Sequence, residues 1–330
     1  MLPPLDIVGF EEGVKKEYSH HMAMVLSGRV FAITVNWNRA DDTMECLDSL
    51  VKSGVDQSSI IVVDNGSTDG SVELISKRMS SVQIMKMGEN LGYIKGVNRG
   101  ISRALDNGAQ MILLINNDAT VDPDAIDKLL EAAASRKEAG ILGPKILYYG
   151  RSVIWFAGGR FNWRWGFSSH PGMDEADISE VEDEKVDFIT GCVMLVRREV
   201  FEEVGLFDES YWMYAEDLDF CLKALFKGWE SWVIPSAVAH HKVSASSGVK
   251  GSNVMTRMRS YYYAKNMFVL VKKLPRSEGS FTRLLGQFLV RFPYYTVLIS
   301  IQGVKGGLIS YLRGMIDGLR MILRGGATTD

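Results

Sequence analysis

Seven polar side chains stand where short hydrophobic runs end: Asn36 and Asn38 after residues 30–35, Asp64 and Asp69 after residues 60–63, and Asn116, Asn117 and Asp118 after Met111–Ile115. Each run is short, rich in branched aliphatic residues and followed by turn formers, as a buried strand would be. In an open α/β sheet the ligand crevice lies beyond the carboxyl ends of the strands, so these groups are expected to converge on one site. A turn or a helix cap explains any single one of them equally well. Three successive strands ending alike is what points to a site. Such a site is rich in oxygen ligands and poor in Lys or Arg, so a phosphate-bearing ligand there needs a divalent metal between itself and the protein. Mg or Mn suits oxygen donors, and Mn also accepts a histidine nitrogen.

The elements that must position these groups follow from the pattern. After the strand at 30–35, a helix carries Met44, Leu47, Leu50 and Val51 on one face, with Asp41 or Asp42 as its cap. The strand at 60–63 runs into an acceptor-rich turn and a helix that begins near Ser71, and 82–87 reads as a weaker strand. A helix after Pro123 turns Ile126, Leu129, Leu130 and Ala133 inward. Residues 148–184, rich in Gly, Trp and acidic side chains and without periodicity, read as a long surface excursion of the kind that is often functional. Patterning returns at 186–196, followed by short helices at 198–204 and 216–227 and a strand at 232–234.

The last fifth of the chain differs. Phe281, Leu284, Leu285, Phe288, Leu289 and Phe292 share a helical stripe opposite Arg283, Gln287 and Arg291, and Pro293 is expected to end that helix. A second helix carries Leu308, Leu312, Met315, Ile316, Leu319 and Leu323 opposite Arg313, Asp317, Arg320 and Arg324. The apolar run between them, 294–301, is far shorter than the ~20 residues of a spanning helix, so both helices are expected to lie on a membrane. Charge agrees: from Met255 onward 12 Lys or Arg face three acids, a balance of +9, which leaves −12 on residues 1–254 of a chain whose total is −3. A basic tail on an acidic body fits an anionic surface, lipid headgroups or nucleic acid.

With 330 residues, 46% of them hydrophobic and 23% charged, the chain is long enough for one large core or two smaller ones and is neither disordered nor collagenous. Three dispersed cysteines, Cys46, Cys192 and Cys221, exclude a disulfide framework and a Cys-rich zinc site and suit a reducing compartment. Residues 1–27 mix acidic and basic residues and lack an apolar segment, so no signal peptide is expected. There is no Walker A loop, no Gly-x-Gly-x-x-Gly after the first strand and no Gly-x-Ser-x-Gly elbow, which argues against P-loop ATPases, the usual dinucleotide dehydrogenases and serine hydrolases.

An ordered set of motifs resembles family 2 glycosyltransferases of the GT-A fold, the rhamnosyltransferase-like members in particular. It comprises Val35-Asn36-Trp37-Asn38, then Val63-Asp64-Asn65-Gly66-Ser67-Thr68-Asp69-Gly70, Asn90-Leu91-Gly92-Tyr93 through Asn98-Arg99-Gly100, and Ile115-Asn116-Asn117-Asp118. Thr190-Gly191-Cys192, Gly205-Leu206-Phe207-Asp208-Glu209, Tyr214-Ala215-Glu216-Asp217-Leu218-Asp219 and His241-Lys242-Val243-Ser244 complete it. The resemblance implies an α/β GT-A domain over 30–275, with an N-terminal extension at 1–29 and the amphipathic helices at 276–330.

It also implies a metal-dependent, inverting transfer of a sugar, rhamnose as first candidate, from a nucleotide-sugar donor to a glycan or polyprenyl-linked acceptor. Asp64 would take the nucleotide base, with Asn36, Asn38, Asn65, Asn90, Gly92, Asn98 and Asn117 around the donor. Asp118 matches the last carboxylate of the metal-binding Asp-x-Asp motif, although Asn116 replaces its first Asp; His241 matches a further metal ligand. Asp217, with Glu216 beside it, matches the catalytic base. Such an enzyme would work at the cytoplasmic face of the membrane, attached peripherally to an anionic surface and not to nucleic acid. Trp155, Trp163 and Trp165 either stack on sugar rings or pack. Two alternatives stand beside this reading: a sugar nucleotidyltransferase, and a non-catalytic nucleotide-sugar-binding or scaffold protein with a basic tail.

Overall fold

Three strands of unbroken Ile, Val, Leu and Met cannot face water on either side, and the computed structural model buries them in the middle of a mixed sheet covered by helices. It describes residues 29–178, 181–243, 254–275 and 280–324; the expected N-terminal extension therefore lies, apart from Arg29, outside the described residues, as does Ser244. The strands run β1 (Val30–Asn36), β2 (Ile60–Asp64), β3 (Gln83–Lys86), β4 (Met111–Ile115), β5 (Ala119–Val121) and β6 (Ala139–Tyr148). Three short ones follow, β7 (Ile154–Phe156), β8 (Arg160–Asn162) and β9 (Phe167–Ser169), and then β10 (Glu184–Val186), β11 (Val193–Arg197) and β12 (Glu230–His241). The sheet order is β10-β12-β6-β11-β4-β1-β2-β3, with β1, β2, β3 and β4 parallel and β11 antiparallel to both neighbours. β5 pairs with the end of β12, His241 opposite Ala119.

Helices α1 (Ala40–Lys52), α2 (Ser71–Arg78), α3 (Tyr93–Asp106), α4 (Ala125–Ser135), α5 (Arg198–Val204) and α6 (Glu216–Phe226) flank these strands. Gly96 and Gly100 let α3 lie directly on the sheet: a Cβ at Gly100 would stand 2.5 Å from Ile33 Cγ2. That approach sets the height of Asn90–Tyr93 above the strand ends. Neither Asp41 nor Asp42 caps α1: its cap residue is Arg39, without a side-chain bond, and both acids lie in the first turn, where they favour the helix dipole. The excursion is less irregular than expected, since β7 joins β6 and β8 pairs with β9. All three cysteines are free and buried.

Behind this body lie α7 (Arg257–Lys273) and α10 (Gly307–Arg324), packed along each other, and a helical run from Ser280 to Ile301. Pro293 does not end that run. α8 (Ser280–Gly286) passes through a π-helical turn at Gln287–Arg291 into α9 (Phe292–Ile301), and the wider turn absorbs the amide that proline lacks. The result is 22 residues of helix, by length and composition enough to cross a membrane, where a much shorter apolar run was expected. Its polar stripe is the face that meets the protein. Arg283, Gln287 and Arg291, at 4%, 3% and 7% exposure, are turned into the protein, while Phe281 and Ile301 are 73% and 79% exposed. α10 docks on α7 through Tyr311, Gly314, Met315 and Gly318, and Leu312, Ile316 and Leu323 of its apolar stripe face out.

Candidate active site

The strand ends do converge, but most of the amides among them are occupied with one another. Asn36 Nδ2 donates to Asp64 Oδ1 and Ser67 Oγ, both at 3.0 Å, and its Oδ1 accepts from Thr43. Asp64 Oδ2 accepts the Ser67 amide, and Asn38, at a left-handed φ of 53°, accepts the Thr68 amide at 2.7 Å. The turn after β2 is thereby fixed with the Asp64 carboxylate inside it. Gly66 has no room for a side chain, because a Cβ would stand 2.8 Å from Glu89 Cα. That closeness lets Asn65 clamp the next segment: it donates to Asn90 Oδ1 and the Gly92 carbonyl and accepts from Leu91 N. Asn98 makes a two-way bond with the backbone of Phe207, at 2.9 and 3.1 Å. Asn117 reaches Thr43 Oγ1, and Asp69 Oδ1 accepts the Ser71 amide where α2 begins.

At the end of β4, Asp118 Oδ1 lies 3.1 Å from His241 Nε2, and both side chains are buried. The two arrive together because β5 follows Asp118 directly and pairs with the last residues of β12. The Trp155 ring meets His241 edge-on with centroids 4.4 Å apart, and His241 Nδ1 is buried without a partner. Lys242, next in sequence, is tied to Asp42 and Glu45 of α1 at 2.6 Å each. Among the described residues no group of three or more His, Cys, Asp or Glu could hold a metal. An adjacent carboxylate and imidazole would nevertheless suit two positions around a Mg or Mn ion, whose other ligands would have to come from outside the protein.

The second carboxylate centre opens α6. Asp217 Oδ2 accepts the Gly191 amide at 3.0 Å and its Oδ1 accepts the Leu218 amide. Glu216 is half-buried, with its Oε2 enclosed and unpartnered; desolvation, and then the Asp217 charge, push its carboxyl up to about 8. The two centres are neighbours, since Asp118 and Asp217 both act on the Tyr93 phenol and the Cys192 thiol. The Asn116 amide bonds the Cys192 carbonyl at 2.8 Å, Gly191 N bonds Asp217, and Tyr93 OH reaches the Gly191 carbonyl at 3.4 Å. Burial raises the Tyr93 phenol, and Glu216, Cys192, Asp217 and Asp118 each add to the shift.

Tyr93 thus belongs to the site, though from sequence it served only as a motif letter. Sequence reasoning also passed over His170, whose imidazole packs edge-on against Phe156 and holds a buried, unpartnered Nδ1. Burial lowers its pKa and Asp217 opposes that shift, which puts the excursion beside the second carboxylate. Trp212, half-exposed, covers Gly92. A histidine and an aromatic in aperiodic segments carry no spacing signal. Of the three tryptophans of the excursion, Trp155 meets His241 and Trp163 packs on Phe161 and Phe226, whereas Trp165 lies under Arg164.

The profile described as "Glycosyl transferase family 2" matches residues 31–205. An N-acetylglucosaminyl-diphospho-decaprenol L-rhamnosyltransferase of Mycobacterium tuberculosis is 34% identical over 224 residues, 62% of this chain and 73% of that protein. A dTDP-rhamnosyl transferase of Shigella flexneri is 23% identical over 309 residues, covering 91% of this chain and 99% of its own. Among solved structures, a mannosyltransferase from Pyrobaculum calidifontis in complex with GDP-Man and Mn2+ superposes with a TM-score of 0.53 at 15% identity over 96% of this chain and 84% of its own. GalNAc-T7 with UDP, GalNAc and Mn2+ gives 0.54 at 15% over 82% of this chain, which spans 57% of that one. At such identities the likeness is one of fold, and that fold is GT-A.

Proposed function

We propose, from the premise that this chain belongs to glycosyl transferase family 2 and is a glycosyltransferase, that it moves a sugar, rhamnose as first candidate, from a nucleotide donor to a lipid-linked saccharide with inversion at the anomeric carbon. The observation that carries this reading is the proximity of Asp118–His241 and Asp217, linked through the backbone of Asn116, Cys192 and Gly191. Asp64 and the Asn65–Asn90–Gly92 clamp form the nucleoside side, with Asn36 and Asn38 fixing the turn that presents Asp64. Asn117 and Asn98 brace the walls of the donor pocket. Asp118 and His241 would hold a divalent ion, which stabilises the charge that gathers on the departing diphosphate. Asp217 takes the proton of the acceptor hydroxyl as that oxygen attacks from the face opposite the diphosphate. Glu216, kept protonated at neutral pH, leaves proton acceptance to its neighbour.

The acceptor class follows the relatives' names, and the helical layer supports it. An apolar face turned outward beside exposed Lys305, Arg313 and Arg320 suits the headgroup boundary of an anionic membrane at its cytoplasmic side. A spanning arrangement would carry Arg283, Gln287 and Arg291 into hydrocarbon and strip them from the carbonyls they bond, which favours peripheral attachment.

Incubation with dTDP-rhamnose and N-acetylglucosaminyl-diphospho-polyprenol tests the whole. A product one deoxyhexose heavier, formed with Mn2+ and lost in excess EDTA, is expected. Undiminished transfer in EDTA would remove the metal from the scheme, and transfer from another nucleotide sugar alone would replace the donor.

A further inference from the structure

The turn that delivers Asp217 is one that its own residues disfavour. Tyr214 and Ala215, immediately before α6, have φ of 69° and 68°, the left-handed region that side chains with a Cβ avoid. Two such residues in a row persist only if their surroundings impose the conformation. The constraint comes from α7, outside the sheet. Asn266, buried, donates from one Nδ2 to the carbonyls of both Met213 and Tyr214, at 2.7 and 2.8 Å. Its Oδ1 has no partner, so the whole hydrogen bonding of this amide is spent on the turn. Arg259 Nε reaches Tyr214 OH at 3.2 Å, and the Tyr214 ring meets Tyr263 edge-on at 4.9 Å. Tyr263 in turn touches Tyr295 of α9 and accepts Arg291 at its carbonyl.

We propose that Asn266 is a positioning residue for transfer: by holding the Met213 and Tyr214 carbonyls it keeps the left-handed turn that aims Asp217 into the site. The proposal rests on the reading of Asp217 as the base. Asn266 touches no group assigned to the donor, so its loss acts on turnover and not on nucleotide affinity. A misplacement of the base by about 1 Å costs on the order of 100-fold in rate.

The test measures kcat and KM for transfer from dTDP-rhamnose, together with calorimetric binding of dTDP and Mn2+, in Asn266→Ala, Ala215→Gly and the double variant. Asn266→Ala is expected to lower kcat about 100-fold with dTDP affinity kept within about twofold. Glycine adopts a positive φ without penalty, so Ala215→Gly in the Asn266→Ala background is expected to recover about tenfold of the lost kcat. A general packing role for Asn266 would not be rescued by a change in another segment. Equal loss of dTDP affinity, an unchanged kcat, or a double variant no better than Asn266→Ala would each overturn the proposal. If Asn266→Ala does not fold, Asn266→Gln puts the amide one methylene out of place, and kcat must still fall with binding retained. Asp217→Asn separates this from the underlying reading: turnover surviving there removes the base, whereas turnover lost there but kept in Asn266→Ala removes only the positioning role.

Discussion

Between Val30 and His241 apolar side chains point inward and many of the buried polar ones gather at the strand ends, while along Ser280–Ile301 the arrangement is turned round. There, Arg283, Gln287 and Arg291 grip backbone carbonyls of residues 275, 166 and 263, and the aromatic and aliphatic face is left outside. The first region turns its polar groups to water; the second docks through buried Arg and Gln side chains and a small apolar cluster around Ile299, Tyr311 and Met315, and presents an outer face that water does not suit. Amphipathicity alone therefore says that a helix has two faces and not which one meets protein.

The largest expected effect tests the first region. Asp217→Asn keeps shape and loses the proton acceptor, so turnover should fall by roughly 10²–10⁴ in a transfer assay while the protein melts as before. If it does not, the strand-end cluster binds without catalysing. Next comes the outer face of the second region. Leu289→Glu combined with Val297→Glu, both exposed, should abolish flotation with phosphatidylglycerol vesicles yet shift stability by no more than about 0.5 kcal/mol per site. A large loss of stability would mean that this face is covered by protein after all.

Gly314→Ala probes the inner face of the same layer. A Cβ there collides with the Tyr261 carbonyl, so chemical denaturation should report a loss of about 1–3 kcal/mol in spite of alanine's better helix propensity. The smallest effect concerns pH. Glu216 keeps its proton in the folded chain to about 8 against a usual 4.5, so its contribution to stability is full below pH 4.5 and is lost as pH rises through about 8. Glu216→Gln cannot lose it, and the melting temperature of the variant should gain on the native chain by a few degrees, on the order of 3 °C, across that interval.

Much of the first region could be read from the chain because its signals are local. Runs such as IIVV and MILLI end in Asp64 and Asn116–Asp118, and period and turn chemistry mark both the strand and the place where its carboxylate emerges. What spacing could not reveal was the division of labour. Asn36, Asn65 and Asn98 have the same side chain as a ligand would, but their partners, 28, 25 and 109 residues away, engage them in bonds within the protein. His170, Tyr93 and Trp212 reach the site through tertiary contacts that leave no period in the sequence. Pro293 fails to stop its helix for a related reason. The π-helical turn ahead of it depends on Gln287 and Arg291 being anchored on residues 166 and 263, which no window around the proline contains.

The central claim is that one site holds two carboxylates with separate duties, donor at Asp118 and acceptor at Asp217. Calorimetric titration of dTDP in the presence of Mn2+ into Asp118→Ala and Asp217→Asn addresses it directly. Asp217→Asn is expected to bind within about twofold of the native chain and Asp118→Ala to lose at least about tenfold. Weakening of both to the same extent, or of Asp217→Asn alone, would contradict it.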